Sequence, residues 1–222
     1  MTNYVLDIQF DQQGLQTIAG AGMSVALLQP ETHATYQIVA LLSTATNNMQ
    51  IAWTEALSVY TSGHGLGAYS VLTINSFAAA ISGQTFTYDG SLIKATGNTT
   101  LPQTVQLTNK SGATTVSGLA RSFKVNGISQ ALAITSASSI LNNGLGSFTI
   151  NNQVLLTVLS GAQVGMAVPN QVLPNLSVAS KRSRSFSQIS GQPPLLLDFS
   201  VTTSQTVHFD DQSAQFQTGP LT

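Results

Sequence analysis

Apolar and polar residues alternate along most of this chain with a period of two, which is typical of β-strands. In YVLDIQF, residues 4–10, the four even-numbered positions are apolar, and Asp7 and Gln9 lie on the opposite face. This is the pattern of a strand with one buried face. The alternation predicts about fourteen short strands. Besides 4–10, they cover 23–29, 37–43, 68–74, 84–88, 103–108, 121–125, 131–135, 147–150, 154–159, 172–179, 184–189, 195–201 and 205–209.

The stretch MQIAWTEALSVYT, residues 49–61, is a further strand that conflicts with its own alternation. A regular strand would place Glu55 on the same apolar face as Trp53 and Leu57. A carboxylate is costly to bury unless it is paired or neutralised. We therefore favour a β-bulge between Trp53 and Leu57 that turns Glu55 outward.

Two other interpretations of Glu55 stay open. The first is a buried ion pair, with Lys124, Arg121 or a histidine as the partner. The second is a cleft in which Trp53 and Tyr60 offer stacking surfaces for a sugar or a lipid headgroup. On this second interpretation, Trp53, Glu55 and Tyr60 are the candidate ligand-binding residues.

One short helix is predicted near the N-terminus. In DQQGLQTIAGAG, residues 11–22, Leu15 and Ile18 fall on one helical face. Asp11 has a side chain that caps helix N-termini well. Elsewhere, the glycines of YDG, KSG, VNG and NNG stand where tight turns need a positive φ.

The whole pattern predicts an all-β fold: an antiparallel β-sandwich of about fourteen short strands with one short N-terminal helix. No change in composition marks a linker, so we expect residues 1–222 to form a single domain. PQTVQLTN (102–109) and SQTVHFDD (204–211) look alike, which would fit two similar halves near 1–110 and 111–222. The same likeness is explained by residue types that are common in β-strands, and we favour that explanation.

Few residues in this chain carry a charge. Only 7% are Asp, Glu, Lys or Arg, the formal net charge is −1, and 85 of the 222 residues are Ser, Thr, Gln or Asn. An average soluble domain has about 25% charged residues. The surface must therefore consist mostly of hydroxyls and amides, which suits glycans, lipid headgroups or further copies of the chain. Nucleic acid is not an expected partner, because its binding depends largely on Lys and Arg.

Three of the seven basic residues lie together in KRSRSF, residues 181–186. Lys181, Arg182 and Arg184 are therefore candidate anion-binding or headgroup-binding residues. The same cluster could instead be gatekeeper charge that prevents a strand edge from pairing with another chain. The sequence does not choose between the two.

Motifs for catalysis and cofactor binding are absent. The chain has no cysteine, no nucleophile elbow, no zinc-protease motif and no phosphate-binding loop. We therefore predict that it is not an enzyme and has no cofactor. In HFDD, His208, Asp210 and Asp211 are weak candidates for metal ligands. An exposed strand end followed by a turn explains these residues better, so no metal site is expected.

Three segments carry a resemblance to other proteins: YVLDIQF with GLQTI after it, MQIAWTEALSVY, and TTSQTVHFDDQSAQF near the C-terminus. Together they resemble a loose group of uncharacterised bacterial all-β proteins that has no assigned activity. The overall sequence pattern is also similar to that of small β-sandwich toxins that bind membranes, such as aegerolysins and actinoporins. The resemblance implies a β architecture and assigns no functional residue.

These observations favour a non-enzymatic β-sandwich that binds a membrane lipid or glycan surface, as a pore-forming or insecticidal-type toxin would. The alternative is a self-assembling structural protein, such as a component of a shell, fibre, inclusion or virion. Homo-oligomers are expected on either hypothesis. The N-terminus lacks the features of a signal peptide, and no stretch approaches the ~18 apolar residues of a transmembrane helix. Localisation stays open, with lysis or non-classical secretion as routes of release.

Overall fold

The computed structural model describes residues 2–30, 34–173 and 193–221. These residues form twenty β-strands and one α-helix, so the predicted all-β fold with one short N-terminal helix is confirmed. The strands belong to four sheets, here called sheets I to IV. They outnumber the predicted fourteen because several pairings are only two or three residues long and leave no alternating pattern in the sequence.

Sheet I contains both ends of the described chain. Its strands are β1 (Asn3–Gln9), β4 (Asn48–Thr54), β11 (Phe123–Val125), β12 (Ile128–Ser129), β19 (Ser204–Asp210) and β20 (Gln215–Thr218). Their order is β12-β11-β4-β1-β19-β20. β1 pairs with β4 in antiparallel orientation but with β19 in parallel orientation. The first and the penultimate strands are therefore neighbours in the middle of this sheet.

Sheet II packs face to face against sheet I. Its strands are β2 (Met23–Leu28), β3 (Tyr36–Ser43), β16 (Gln153–Ser160), β17 (Ala167–Pro169) and β18 (Leu195–Asp198), in the order β17-β3-β2-β16-β18. Leu6 and Ile51 of sheet I meet Leu27 and Leu156 of sheet II in one buried cluster. The opposite face of sheet II is also covered, which explains why β2, β3 and β16 are apolar on both faces.

The helix α1 (Gln12–Gly20) follows β1. The side chain of Asp11 accepts a hydrogen bond from the N–H of Gly14 at 2.6 Å, so the predicted N-cap is confirmed. Ile18 is buried in the cluster between sheets I and II. The cap and one apolar side chain thus fix a helix too short to be stable alone.

Sheets III and IV form a second sandwich. Sheet III contains β5 (Leu57–Ser62), β6 (Ser76–Ala80), β10 (Thr115–Arg121), β13 (Ala133–Ile134) and β14 (Ser138–Ile140). Sheet IV contains β7 (Gln84–Tyr88), β8 (Ile93–Asn98), β9 (Thr104–Asn109) and β15 (Leu145–Thr149). Sheet III runs β13-β10-β5-β6 with β14 also on β10, and sheet IV runs β15-β9-β7-β8 with β7 and β9 parallel. Val59 and Leu119 of sheet III pack on Phe86 and Leu107 of sheet IV.

Two bends join the sandwiches at one place. The chain passes from β4 in sheet I to β5 in sheet III at residues 55–56, and from β10 back to β11 at Ser122. Because β4 pairs with β11 and β5 pairs with β10, the two bends lie side by side. A further buried cluster, which includes Ile38 of sheet II and Tyr60 of sheet III, fills the space between the sandwiches.

Some predicted strands are not where the alternation put them. The strand predicted at 68–74 is wrong, because this segment makes only one isolated bridge, from Val71 to Met166, and Tyr69 has a φ of 61°. One of its apolar residues, Leu72, is nevertheless buried against sheet III. Most of 172–179 and all of 184–189 lie outside the described residues. No helix in the described ranges is long and apolar enough to cross a membrane.

The two segments that look alike in sequence lie in different sheets. Residues 102–109 contain β9 of sheet IV, and 204–211 contain β19 of sheet I. Each of these strands lies between one parallel and one antiparallel neighbour. The sheets do not follow a division near residue 110, because sheet I takes strands from both sides of it. A relation between two halves stays a prediction.

Candidate functional site

Glu55 lies at the bend between sheets I and III, where β4 ends and β5 begins. Trp53 is opposite Phe123, and Ser58 is opposite Ala120, so the four residues 54–57 span the same bend as the two residues 121 and 122. Glu55 is exposed. The prediction that the alternation is interrupted here and that Glu55 turns outward is therefore confirmed, and the interruption coincides with the point at which the chain changes sheet.

The carboxylate of Glu55 accepts hydrogen bonds from the N-terminal strand. The N–H of Thr2 donates to Oε2 at 3.3 Å, and the hydroxyl of Tyr4 donates to Oε1 at 3.4 Å. Hydrogen bonds from Thr2, and then from Tyr4, lower the pKa of Glu55 below its ordinary value, so it is ionised at neutral pH. The structure does not show the ion pair with Arg121 or Lys124, because the one ion pair among the described residues joins Lys94 to Asp89.

Trp53 and Tyr60 do not share a cleft. Trp53 is 3% exposed and packs between the sheets of the first sandwich, where its ring stacks on Tyr4 with centroids 5.7 Å apart. Tyr60 is fully buried in a different cluster, and its hydroxyl donates to the carbonyl of Ser136 at 3.0 Å. Neither ring offers a face to a sugar in this structure.

Arg121 is buried beside Glu55, and the sequence singled it out only as a possible partner of that residue. Its side chain is 3% exposed, and its Nε has no hydrogen-bond acceptor. Burial lowers the pKa of Arg121 to about 10, partly offset by Tyr4 and Glu55, so it stays cationic at neutral pH. Burial, then the charge of Glu55, raises the pKa of the neighbouring Tyr4. No sequence pattern marks Arg121, because it is an isolated basic residue in a strand.

Three turns meet at the end of the second sandwich that lies away from the bends. We call this surface the distal tip and define it as residues 89–92, 110–114 and 141–145. The N–H of Lys110 donates to the carbonyl of Tyr88 at 2.7 Å, which joins the first two turns. The N–H of Gly112 donates to Oδ1 of Asn142 at 3.0 Å, which joins the second and third. The three turns therefore form one continuous surface.

Asn109 holds the distal tip in shape. It is fully buried, and its Nδ2 donates to the carbonyls of Ala113 at 2.7 Å and Ile140 at 3.0 Å. Its Oδ1 accepts from the N–H of Ser111, and its backbone exchanges two further hydrogen bonds with the 141–145 turn. The tip is thus an ordered surface rather than a set of independent loops.

Large apolar side chains project from two of the three turns, 89–92 and 141–145. Leu92, Leu141 and Leu145 are 57%, 71% and 59% exposed. Lys110 is exposed and makes no ion pair, whereas Lys94 pairs with Asp89 at 2.9 Å. The alternation of apolar and polar residues did not identify these leucines, because turn residues carry no periodic signal.

The outer face of sheet I contains a shallow polar groove of about 340 Å³, lined by Asp7, Ile8, Gln9, Asn48, Met49, Gln50 and Thr206. Nε2 of Gln50 donates to Oδ1 of Asp7 at 2.9 Å across it. Amides and a carboxylate can hydrogen-bond sugar hydroxyls. No aromatic ring lines the groove, however, so it lacks the stacking surface that would help it to hold a sugar.

The weak metal candidates have structural roles. Ser213 and Gln217 donate to Oδ2 of Asp210 at 2.6 and 2.9 Å, and the bond from Ser213 is the main cause of the lowered pKa of Asp210. Nδ1 of His208 lies 3.0 Å from the carbonyl of Gly219. Asp211 begins the turn after β19. The described part of the chain has no group of three or more His, Asp or Glu side chains that could hold a metal ion.

The basic cluster Lys181, Arg182 and Arg184 lies outside the described residues, so its predicted role stays a prediction. The candidate sites in the described chain are therefore the distal tip and the buried cluster around Arg121. In comparisons with protein-family models, with curated proteins and with solved structures, nothing matches this chain.

Proposed function

We propose that this protein is a non-enzymatic β protein that binds lipid surfaces through its distal tip. The observation that supports the proposal is the presence of Leu92, Leu141 and Leu145, all more than half exposed, on one continuous surface. Single exposed apolar residues are common on proteins, but contiguous ones mark interaction sites. A lipid surface suits this set because it accepts apolar side chains without requiring a shaped pocket.

The size of the effect can be estimated from the exposed area. Moving each leucine out of water is worth about 1–2 kcal/mol at its observed exposure. One unpaired lysine near an anionic leaflet adds about 1 kcal/mol, and Lys110 is such a residue. The total of about 4–7 kcal/mol corresponds to dissociation constants between roughly 1 mM and 10 µM. One tip therefore binds weakly, and several tips in one oligomer would bind much more tightly.

The double substitution Leu141→Gln with Leu145→Gln should weaken binding to vesicles. The two changes remove about 2–4 kcal/mol of apolar transfer energy, so we expect at least a tenfold rise in the dissociation constant. The measurement is flotation with vesicles of phosphatidylcholine and phosphatidylserine. Ile128→Gln is the matched control, because Ile128 is 69% exposed but lies in the hairpin of β11 and β12, outside the tip.

Equal loss in the control variant would show that the tip has no special role. Absence of vesicle binding by the unmodified protein at about 5 mM accessible lipid, above the weakest dissociation constant of roughly 1 mM, would contradict the proposal outright. A glycan panel run in parallel gives a further test: saturable glycan binding that survives the double substitution, without vesicle binding, would assign the protein to the glycan-binding class instead.

A second candidate function is self-assembly, and the edge strand β6 favours it. Among the described strands, β6 pairs with β5 alone, so one side of it has unpaired backbone groups. Its sequence SFAAA has no charge and no proline, and Phe77 is 61% exposed. Proteins usually protect such edges with Lys, Pro or a bulge. The edge strand β8, by contrast, has Lys94 and a bulge.

The substitution Phe77→Lys should convert any oligomer to a monomer. In an antiparallel pair of β6 strands, the two introduced lysines would lie diagonally across the new edge, close enough to repel each other. Light scattering across a concentration series gives the mass of each form. Leu141→Lys is the control, since it adds the same charge at an exposed position outside β6. A strict monomer at high concentration in the unmodified protein would exclude this second candidate.

A further inference from the structure

Arg121 is a buried cation that makes no ion pair with any described side chain. It is 3% exposed, and the one ion pair among the described residues is the exposed contact of Lys94 with Asp89. A buried charge is costly unless it is paired and hydrogen-bonded. The Nε of Arg121 is buried and donates to no acceptor. The guanidinium is therefore available to an anion.

A second buried donor belongs to the same cluster. Nε1 of Trp53 is buried and has no acceptor either. Trp53 is opposite Phe123, which follows Arg121 by two residues, and its ring stacks on Tyr4. Tyr4 and Glu55 both act electrostatically on Arg121. Both unpartnered donors therefore belong to residues that interact with Tyr4 near the bend between sheets I and III.

We propose that this junction binds a small monoanionic carboxylate, with the guanidinium of Arg121 as its cationic partner and the indole N–H of Trp53 as a further donor. A guanidinium forms two parallel hydrogen bonds with the two oxygens of a carboxylate. One positive charge balances a monoanion. A dianion such as sulfate would leave one buried negative charge without compensation, so it fits the site less well.

Glu55 lies at the rim of this site and does not occupy it. Its two oxygens accept hydrogen bonds from the N–H of Thr2 and the hydroxyl of Tyr4. It is exposed, whereas Arg121 is buried. Its negative charge still opposes an incoming anion, because the two side chains interact electrostatically. Removal of that charge should therefore tighten carboxylate binding.

Tryptophan fluorescence reports on this site without an added label, because Trp53 is the single tryptophan of the chain. Sodium acetate is titrated into the full-length protein at pH 7, with sodium chloride keeping the ionic strength constant. We expect a saturable change in tryptophan emission and a parallel rise in the thermal midpoint. Sodium sulfate, a dianion at this pH, should give a smaller effect at the same ionic strength.

Three variants test whether the change in tryptophan emission on addition of acetate arises at this site. Arg121→Gln should abolish it. Glu55→Gln should lower the acetate dissociation constant about two- to fivefold, as expected for removal of one solvent-exposed charge. Lys124→Gln removes an exposed cation from the neighbouring strand β11 and should leave the response unchanged.

Several results would overturn the proposal. One is an emission change that chloride alone reproduces, because the response would then not be specific for a carboxylate. Another is an unchanged acetate response in folded Arg121→Gln. If that variant does not fold, Arg121→Lys replaces it, and an unweakened response there contradicts the two-bond geometry. A fall in thermal midpoint with no gain in acetate affinity in Glu55→Gln would make Glu55 itself the partner of Arg121.

Discussion

Replacement of Gly118 by alanine should destabilise the protein by about 3–5 kcal/mol, the sum of backbone overpacking and one lost buried hydrogen bond. Gly118 lies in β10, where the segment 135–137 crosses directly over it. A Cβ on Gly118 would collide with the carbonyl oxygen of Ser136 and lie 3.1 Å from the Cα of Ala137. The obstacle is backbone, so it cannot rotate away. The same carbonyl accepts the hydrogen bond from the buried hydroxyl of Tyr60, which would be lost with it.

Thermal unfolding followed by circular dichroism measures this effect, with an expected fall in the midpoint of roughly 10 °C or more for a chain of this size. Gly20→Ala is the matched control. Its Cβ would meet nothing within 4 Å, so we expect a change of less than about 1 kcal/mol. A Gly118→Ala protein as stable as the control would show that segment 135–137 does not pack on β10 as described.

The substitution Asn109→Asp should cost about 3–5 kcal/mol at pH 7, although it changes only one atom of the side chain. Nδ2 of Asn109 donates to the carbonyls of Ala113 and Ile140. A carboxylate oxygen in its place would face two carbonyl oxygens without solvent, because this residue is fully buried. The three turns of the distal tip would then lose their common support.

The pH dependence of this variant has a defined sign. Burial against carbonyl oxygens raises the pKa of the new carboxyl group above its unfolded value of about 3.9. The penalty is therefore smallest below about pH 4 and grows as the pH rises through the raised folded-state pKa. Urea unfolding at several pH values, relative to the unmodified protein, measures it. Asn142→Asp is the control, because the exposed Asn142 accepts a hydrogen bond through its Oδ1, and aspartate retains that oxygen. Equal stability of the two variants would contradict the role given to Asn109.

The alternation of apolar and polar residues predicted strands correctly wherever one strand face is buried and the other is solvated. β1 shows this directly, since Tyr4, Leu6 and Ile8 are buried and the residues between them are not. The capped helix at Asp11 was equally predictable, because its signal is local. The outward position of Glu55 followed from the cost of burying a carboxylate. In each case, the physical cause acts within a few residues of the chain.

The candidate sites could not be predicted in this way. The distal tip depends on three turns that are distant in sequence and meet only because β7, β9 and β15 are neighbours in sheet IV. Arg121 looks like any solvated basic residue until the bend between sheets I and III encloses it. The stacking surfaces expected of Trp53 and Tyr60 disappear for the same reason, since the two rings are buried in two different clusters.

The sequence by itself therefore determined the all-β class, the capped helix, the weakly charged surface and the interruption at Glu55. Only the tertiary structure decided which strands pair, including the parallel pairs β1 with β19 and β7 with β9. Alternation specifies which side of a strand is buried, but it does not specify the partner strand or the sheet that covers it. Those choices depend on how distant segments pack, and the burial of Arg121 and the exposure of Leu92, Leu141 and Leu145 follow from them.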